Sequence, residues 1–295
     1  MTPLLGGAAC ERKQTTDTGA LIAADRAAAP VDTTPLPGID ASKLDAAKQK
    51  LFYTLVGSLN SPCGKPESLR KSVTDDTSCK RAPYAAKLVL ALVDDEGAEQ
   101  LVRELYRLSY EAGPQKLDLS KAPRVGNDDA LIQIVEFYDY ACPHCREFKS
   151  ALDQLLEQHR DKLAAYFLMY PLGHWKDSGS AAQASLAAAQ QGKFKEMHAL
   201  LFERAPNHNR EAVMGYAKEL GLDLDKFTTA YDAAASQVAS DHDQGKKLDV
   251  QSTPTMFING RRYPSGRELP DGRKEPALPL KYIPMWIEEE AAVNR

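Results

Sequence analysis

Two cysteines, Cys142 and Cys145, stand where an apolar run gives way to a helical one, and this junction constrains the fold more than any other stretch of the 295 residues. Residues 131–137 (LIQIVEF) are apolar and β-branched enough for a buried strand. Residues 146–158 bring Phe148, Leu152, Leu155 and Leu156 round at helical spacing. Cys142 therefore falls at a helix start, where unpaired amides and the positive end of the macrodipole favour a thiolate over a thiol, and Pro143 suits the first turn. His144, if protonated, adds a nearby positive charge. Cys145, one turn further on, is expected to be more buried and placed to attack a mixed disulfide formed at Cys142. The pattern points to reversible thiol–disulfide chemistry.

Two other uses of such a pair compete. A Cys-His-Cys group could hold zinc, but a four-ligand site needs a second ligand pair and the sequence has no other close Cys or His pair, so no metal is expected. A purely structural bridge is the other, yet so short a loop constrains the unfolded chain weakly.

The second half of the signature lies at residues 251–260 (QSTPTMFING). Pro254 precedes an apolar run, residues 255–258, that reads as a strand, and Asn259-Gly260 is a strong hairpin-turn signal. With both halves in view the chain resembles the thioredoxin superfamily, and Cys-Pro-His-Cys preceded by Glu136-Phe137 resembles its DsbA-like branch. The resemblance implies an α/β (α+β) thioredoxin fold, a central mixed sheet with a helical insertion at about 178–247, over residues 114–295. It implies that Cys142 is the nucleophile, Cys145 the resolving thiol and His144 a stabiliser of the reduced thiolate. Glu136 matches a buried acid that assists proton transfer at the resolving thiol, its alternative being a strand-end carboxylate satisfied by solvent or a lysine. Pro254 matches a cis proline that, with Thr253, docks the substrate backbone. Threonine before the proline resembles isomerases rather than the strong oxidases, which carry valine there, whereas the histidine between the cysteines favours an oxidant.

The rest of this part reads as strand 164–172, helices 180–190, 194–204, 209–220 and 226–247, a last strand 261–263, a basic proline-rich loop 264–279, and a closing helix 280–291 kinked at Pro284. Arg261, Arg262, Arg267, Arg273 and Lys274 make this region locally positive, and they are read as solvated. His174 and His198 are isolated histidines, expected to be structural or solvated.

Ahead of it, residues 41–113 form a small helical region. Helices are expected from Ser42, as cap, through Leu59, and at 83–93 and 96–111, with a possible edge strand at 117–119. Cys63 and Cys79, with fifteen residues between them, flank a polar segment suited to a bridged loop, a closure worth about 3 kcal/mol in the chain-entropy model and stable in an oxidising compartment. A second redox centre there is the alternative. Residues 1–40 read as a truncated lipoprotein-like leader and flexible tether, with Cys10 as the acylated residue or, alternatively, a free thiol. No run in the sequence approaches the roughly 18 apolar residues of a membrane span, so a lipid on Cys10 would be the only membrane attachment.

A net charge of −4 suggests neither nucleic acid nor an anionic surface as partner. The function implied is that of a thiol-disulfide oxidoreductase of the bacterial cell envelope, needing no cofactor. It would oxidise unfolded or partly folded exported proteins through Cys142 and Cys145, and a further redox partner would reset the pair. A reductase or isomerase is the alternative within that chemistry, and a thioredoxin-fold binding module with incidental cysteines the alternative outside it.

Overall fold

The computed structural model describes residues 30–269 and 271–294; Cys10 and residues 1–29 of the expected leader and tether lie outside them. Four helices come first: α1 (Ala46–Ser58), α2 (Leu69–Thr74), α3 (Ala82–Asp95) and α4 (Glu99–Tyr110). Asp45, not Ser42, caps α1, its Oδ1 accepting from Lys48 N at 2.9 Å; Ser42 is instead held in a turn by Asp40. The segment between Cys63 and Cys79 is more than a loop: it carries α2, capped by Ser68, and the disulfide closes over it with Cys79 buried and Cys63 exposed. Residues 30–40, expected in a mobile tether, pack down through buried Leu36 and Ile39, and the Arg70 guanidinium binds the carbonyls of Asp32 and Thr34.

The second part runs β1 (Arg124–Gly126), β2 (Ile132–Tyr138), α5 (Pro143–Gln158), β3 (Leu163–Met169), α6 (Ser178–Ala189), α7 (Phe194–Glu203), α8 (Arg210–Glu219), α9 (Leu224–Ala233), α10 (Ala235–Lys247), β4 (Thr255–Ile258) and β5 (Arg261–Arg262). A hairpin of β6 (Ser265–Glu268) and β7 (Lys274–Ala277), a 3-10 turn (Leu280–Tyr282) and α11 (Ile283–Val293) follow. The five-stranded mixed sheet has the order β1-β3-β2-β4-β5, with β2 and β3 parallel and the other pairs antiparallel. The edge strand is β1, not residues 117–119; Leu117 and Leu119 instead cover one sheet face.

Alternation along β2 sorts the two faces. Ile132, Ile134 and Tyr138 join the larger core with α5, α6 and α7, while Val135 and Phe137 pack with Leu168, Tyr170 and Phe257. On this second face α10 approaches so closely that a Cβ on Gly245 would lie 2.4 Å from the Tyr170 ring. Asn259 and Gly260 both have positive φ (47° and 79°), the two-residue turn that the sequence signals between β4 and β5.

Three expectations for the C-terminal part are corrected. Helix 226–247 is two helices that meet at Ala234. The loop 264–279 is largely the β6–β7 hairpin, whose register puts Arg267 opposite Glu275. Pro284 lies in the first turn of α11, where a missing N–H costs nothing, so it does not act as an interior kink. Nor is Arg261 solvated. It is 5% exposed; its Nη1 meets Glu289 at 2.6 Å and Glu290 at 2.7 Å, and its plane lies 4.3 Å from the centre of the Trp286 ring. Arg81, from α3, pairs with the same two carboxylates, and Tyr110 OH donates to Glu289 at 2.7 Å. Removing one member leaves buried charge uncompensated. Arg261→Ala is expected to lower unfolding free energy by about 3–5 kcal/mol, measured by urea denaturation; a loss below about 1 kcal/mol would show the cluster to be energetically idle.

Candidate active site

The turn between β2 and α5 is organised by Asp139, a buried residue not singled out in the sequence. Its carboxylate accepts from Ala141 N at 2.9 Å and Leu172 N at 3.0 Å, and its carbonyl accepts from Cys142 N at 3.0 Å. The signal was present: an Asp directly after a strand and just before a helix start is an Asx-turn former. The turn delivers Cys142 to the N-cap of α5 with Pro143 in the first turn, so the sulfur sits at the open amide end of the helix.

Across from it the Thr253–Pro254 peptide is cis, and the Cys142 thiol donates to the Thr253 carbonyl at 3.3 Å. Thr253 Oγ1 is buried and has no partner in this thiol form, which leaves it free to donate once the sulfur is ionised. The Cys142 pKa is lowered from 9.0 to about 5, chiefly by a hydrogen bond from the Cys145 thiol. The Thr253 hydroxyl and the backbone N–H groups of Cys145 and His144 add to this against the cost of burial. The His144 side chain is exposed and lies 3.6 Å from Glu147, so its backbone, not its imidazole, acts on the sulfur here.

Cys145 is fully buried, and burial, its bond to Cys142 and the neighbouring Glu136 carboxyl push its thiol far up. The two cysteines are free and one helical turn apart, yet their protons are held very differently. Glu136 is 2% exposed, between Phe167 on β3 and Met256 on β4, with Oε1 unpartnered. Burial first, then the Cys142 and Asp153 charges, hold its pKa well above the carboxylate range. A solvent-satisfied strand-end carboxylate is therefore not what the structure contains.

His198 on α7 is buried among Tyr138, Phe167, Phe194 and Phe202, and its Nδ1 lies 3.0 Å from Tyr140 OH. Burial lowers its pKa to about 3, leaving it neutral and structural. His174 stands edge-on to Trp175 in the loop after β3. Among the described residues no group of three or more His, Cys, Asp or Glu could hold a metal ion.

An open groove of about 410 Å³ extends from the cysteine site. Its near side is His144, Phe148, Thr253 and Pro254; its far side is Tyr263, Pro264, Ala277, Leu278, Pro279 and Leu280. The sequence did not disclose this far wall, because it is assembled from segments that flank the β6–β7 hairpin, whose strands lack an alternating apolar pattern.

The depressed pKa has a definite pH signature. An acid whose folded pKa lies below its unfolded one stabilises the fold where it is ionised. The reduced protein therefore gains stability from about pH 5 up to the ordinary thiol range and loses that gain as pH falls through about 5. Alkylation of Cys142 by iodoacetamide is expected to titrate with a midpoint near pH 5 and to be flat from pH 6 to 8; a rate still climbing towards pH 8.5 would show an ordinary thiol.

Comparison with known proteins agrees with this geometry. A thioredoxin family profile matches residues 119–272, over half of the chain. The chain is 35% identical over 144 residues to a Na(+)/H(+) antiporter NhaA 1 of Mycobacterium sp. (strain KMS), 47% of this chain and 23% of that protein. It is 31% identical over 170 residues to a Na(+)/H(+) antiporter NhaA 3 of Salinispora tropica, 51% of this chain and 26% of that protein. The chain thus spans about a quarter of the length of these curated relatives, and among the described residues no helix is long and apolar enough to cross a membrane. Among solved structures it is similar to oxidised BdbD from Bacillus subtilis, at 26% identity and a TM-score of 0.50 over 61% of this chain and 97% of that one. Since the profile match carries both the cysteine pair and the Thr253–Pro254 segment that faces it, the likeness includes the site as well as the sheet: the chain belongs to the thioredoxin family.

Proposed function

We propose that the protein is a DsbA-like thiol-disulfide oxidoreductase that donates the Cys142–Cys145 disulfide to thiols of unfolded or partly folded exported proteins. The observation that carries this is the placement of Cys142 at the open amide end of α5, facing the cis Thr253–Pro254 peptide, with Cys145 buried one turn further on. In the oxidised enzyme a substrate thiolate attacks Cys142 Sγ; the Cys142–Cys145 bond breaks, and Cys145 leaves and takes up a proton. Glu136, buried beside the pair, is assigned to that proton transfer. A second substrate thiolate then attacks the substrate sulfur of the mixed disulfide, and Cys142 departs as a thiolate. Two electrons pass to the pair, and the substrate gains a disulfide. A thiolate stable near pH 7 is a good leaving group, so the reduced enzyme is favoured and the disulfide is oxidising.

Thr253 and Pro254 are assigned to the substrate backbone, and the apolar groove to a chain segment flanking the reacting thiol. The Cys63–Cys79 disulfide supports an oxidising compartment, the cell envelope, in which a redox partner must reoxidise Cys142 and Cys145. Lipid attachment through Cys10 is part of the same proposal. So is the division into a helical region to residue 113, on which residues 30–40 pack, and a catalytic domain beyond. The antiport named for the curated relatives is not proposed, because three quarters of those proteins lie outside the match.

The test is the reduction potential in glutathione buffers. A value well above the glutathione pool is expected, falling by about 30 mV per pH unit above pH 5, where one proton accompanies two electrons, and about twice as steeply below. A potential near thioredoxin's would make the protein a reductase or isomerase instead. Cys142→Ser is expected to abolish oxidation of a reduced polypeptide; retained turnover would overturn the mechanism.

A further inference from the structure

The far wall of the groove is seated in the core at Tyr263 and Leu278, and the β6–β7 hairpin that joins these two residues is held less firmly. A two-stranded hairpin is marginal in isolation, and β6–β7 pairs only with itself and presents mostly half-exposed residues. Arg267 of β6 ties it to Asp249 within the catalytic half, and its other fastenings come from the N-terminal helices. Arg107 of α4 reaches Glu275 of β7 at 3.4 Å, and Glu275 is held on its other side by Arg267 at 2.5 Å. Asp95, at the C-terminal end of α3, pairs with Lys281 at 2.6 Å and accepts from Tyr282 OH. Glu275 stands two residues before Ala277 and Lys281 directly after Leu280, so both contacts adjoin residues that line the groove. None of Asp95, Arg107, Glu275 or Lys281 lies among the residues that touch the cysteines.

Resting on the function proposed above, we infer that the N-terminal helical region is a brace for the substrate groove, with Asp95 and Arg107 as positioning residues. Through them it fixes a wall that accepts an extended polypeptide carrying an apolar side chain beside its cysteine. The occupant follows from continuity: the groove begins at His144, Thr253 and Pro254 next to the reacting sulfur and is lined beyond them by apolar side chains. Glutathione carries no apolar side chain to lay against the far wall, so the brace discriminates polypeptide thiols from glutathione.

The experiment uses the full chain carrying Asp95→Asn with Arg107→Met. KM for a reduced, unfolded polypeptide is expected to rise about three- to tenfold, with kcat, the reduction potential, the Cys142 alkylation profile and the rate with glutathione unchanged. Should the double variant fold poorly, the charge exchange Asp95→Lys with Lys281→Asp is the second construction: Asp95→Lys alone is expected to raise KM and the exchange to restore it. An unchanged KM in a folded variant overturns the brace. A glutathione rate or potential that moves together with KM also overturns it, since the effect would then run through the cysteines. If the unaltered protein oxidises neither glutathione nor the polypeptide, the function reading itself fails, a result distinct from either.

Discussion

Two adjacent carboxylates on α11, Glu289 and Glu290, are buried against two guanidinium groups drawn from distant parts of the chain, and this cluster joins the protein's halves. Neither side could be buried alone, because an unpaired ion in an apolar interior costs far more than a local rearrangement. Arg261 follows the β4–β5 turn, Arg81 opens α3, and Tyr110 closes α4, so the docking of the first helices, the seating of α11 and the position of the sheet edge are settled together. Arg261 also donates to the Ser109 carbonyl at 2.8 Å, tying the end of α4 to the strand directly.

At the other end of the sheet the same principle, that environment decides ionisation, separates two identical side chains. Cys142 is surrounded by donors: helix amides, the neighbouring thiol and an idle hydroxyl. Cys145 has lost its water and faces Glu136. One turn of helix thus suffices to give a sulfur that leaves easily and one that holds its proton. Placing these groups requires little beyond Asp139, which ties the turn before Cys142 to the backbone after β3.

Much of this arrangement was legible because it is local. The β2 run, the α5 periodicity and the Asn259-Gly260 turn each depend on residues within a few positions of one another, and each lies where the pattern puts it. The fold class, and a proline facing Cys142, came from the family resemblance that those pieces carry rather than from the pieces themselves. Arg261 was read wrongly because its burial depends on partners 28 and 29 residues away and on Arg81, none of which marks the basic segment as anything but solvated. The β6–β7 hairpin escaped because charges and one proline, Pro276, take up its strands and α4 supplies part of what alternation usually does. At the start of α1 the chain makes one more turn, with Leu44 N donating to the Ala41 carbonyl and its side chain buried, so the helix begins after Asp45 and not after Ser42. At His144 the exposed ring turns towards Glu147, and the peptide group behind it is what bonds to the Cys142 sulfur.

The connection between the halves, residues 111–116, is exposed along its whole length, while the contacts that hold α3 and α4 in place lie elsewhere. A protease would find its easiest cut there. Cleavage would not by itself part the pieces, since Arg81, Tyr110 and Asp95 would still grip α11 and the turn before it. The covalent link is thus nearly redundant for cohesion, and the two halves could come from separate polypeptides and still assemble as one molecule.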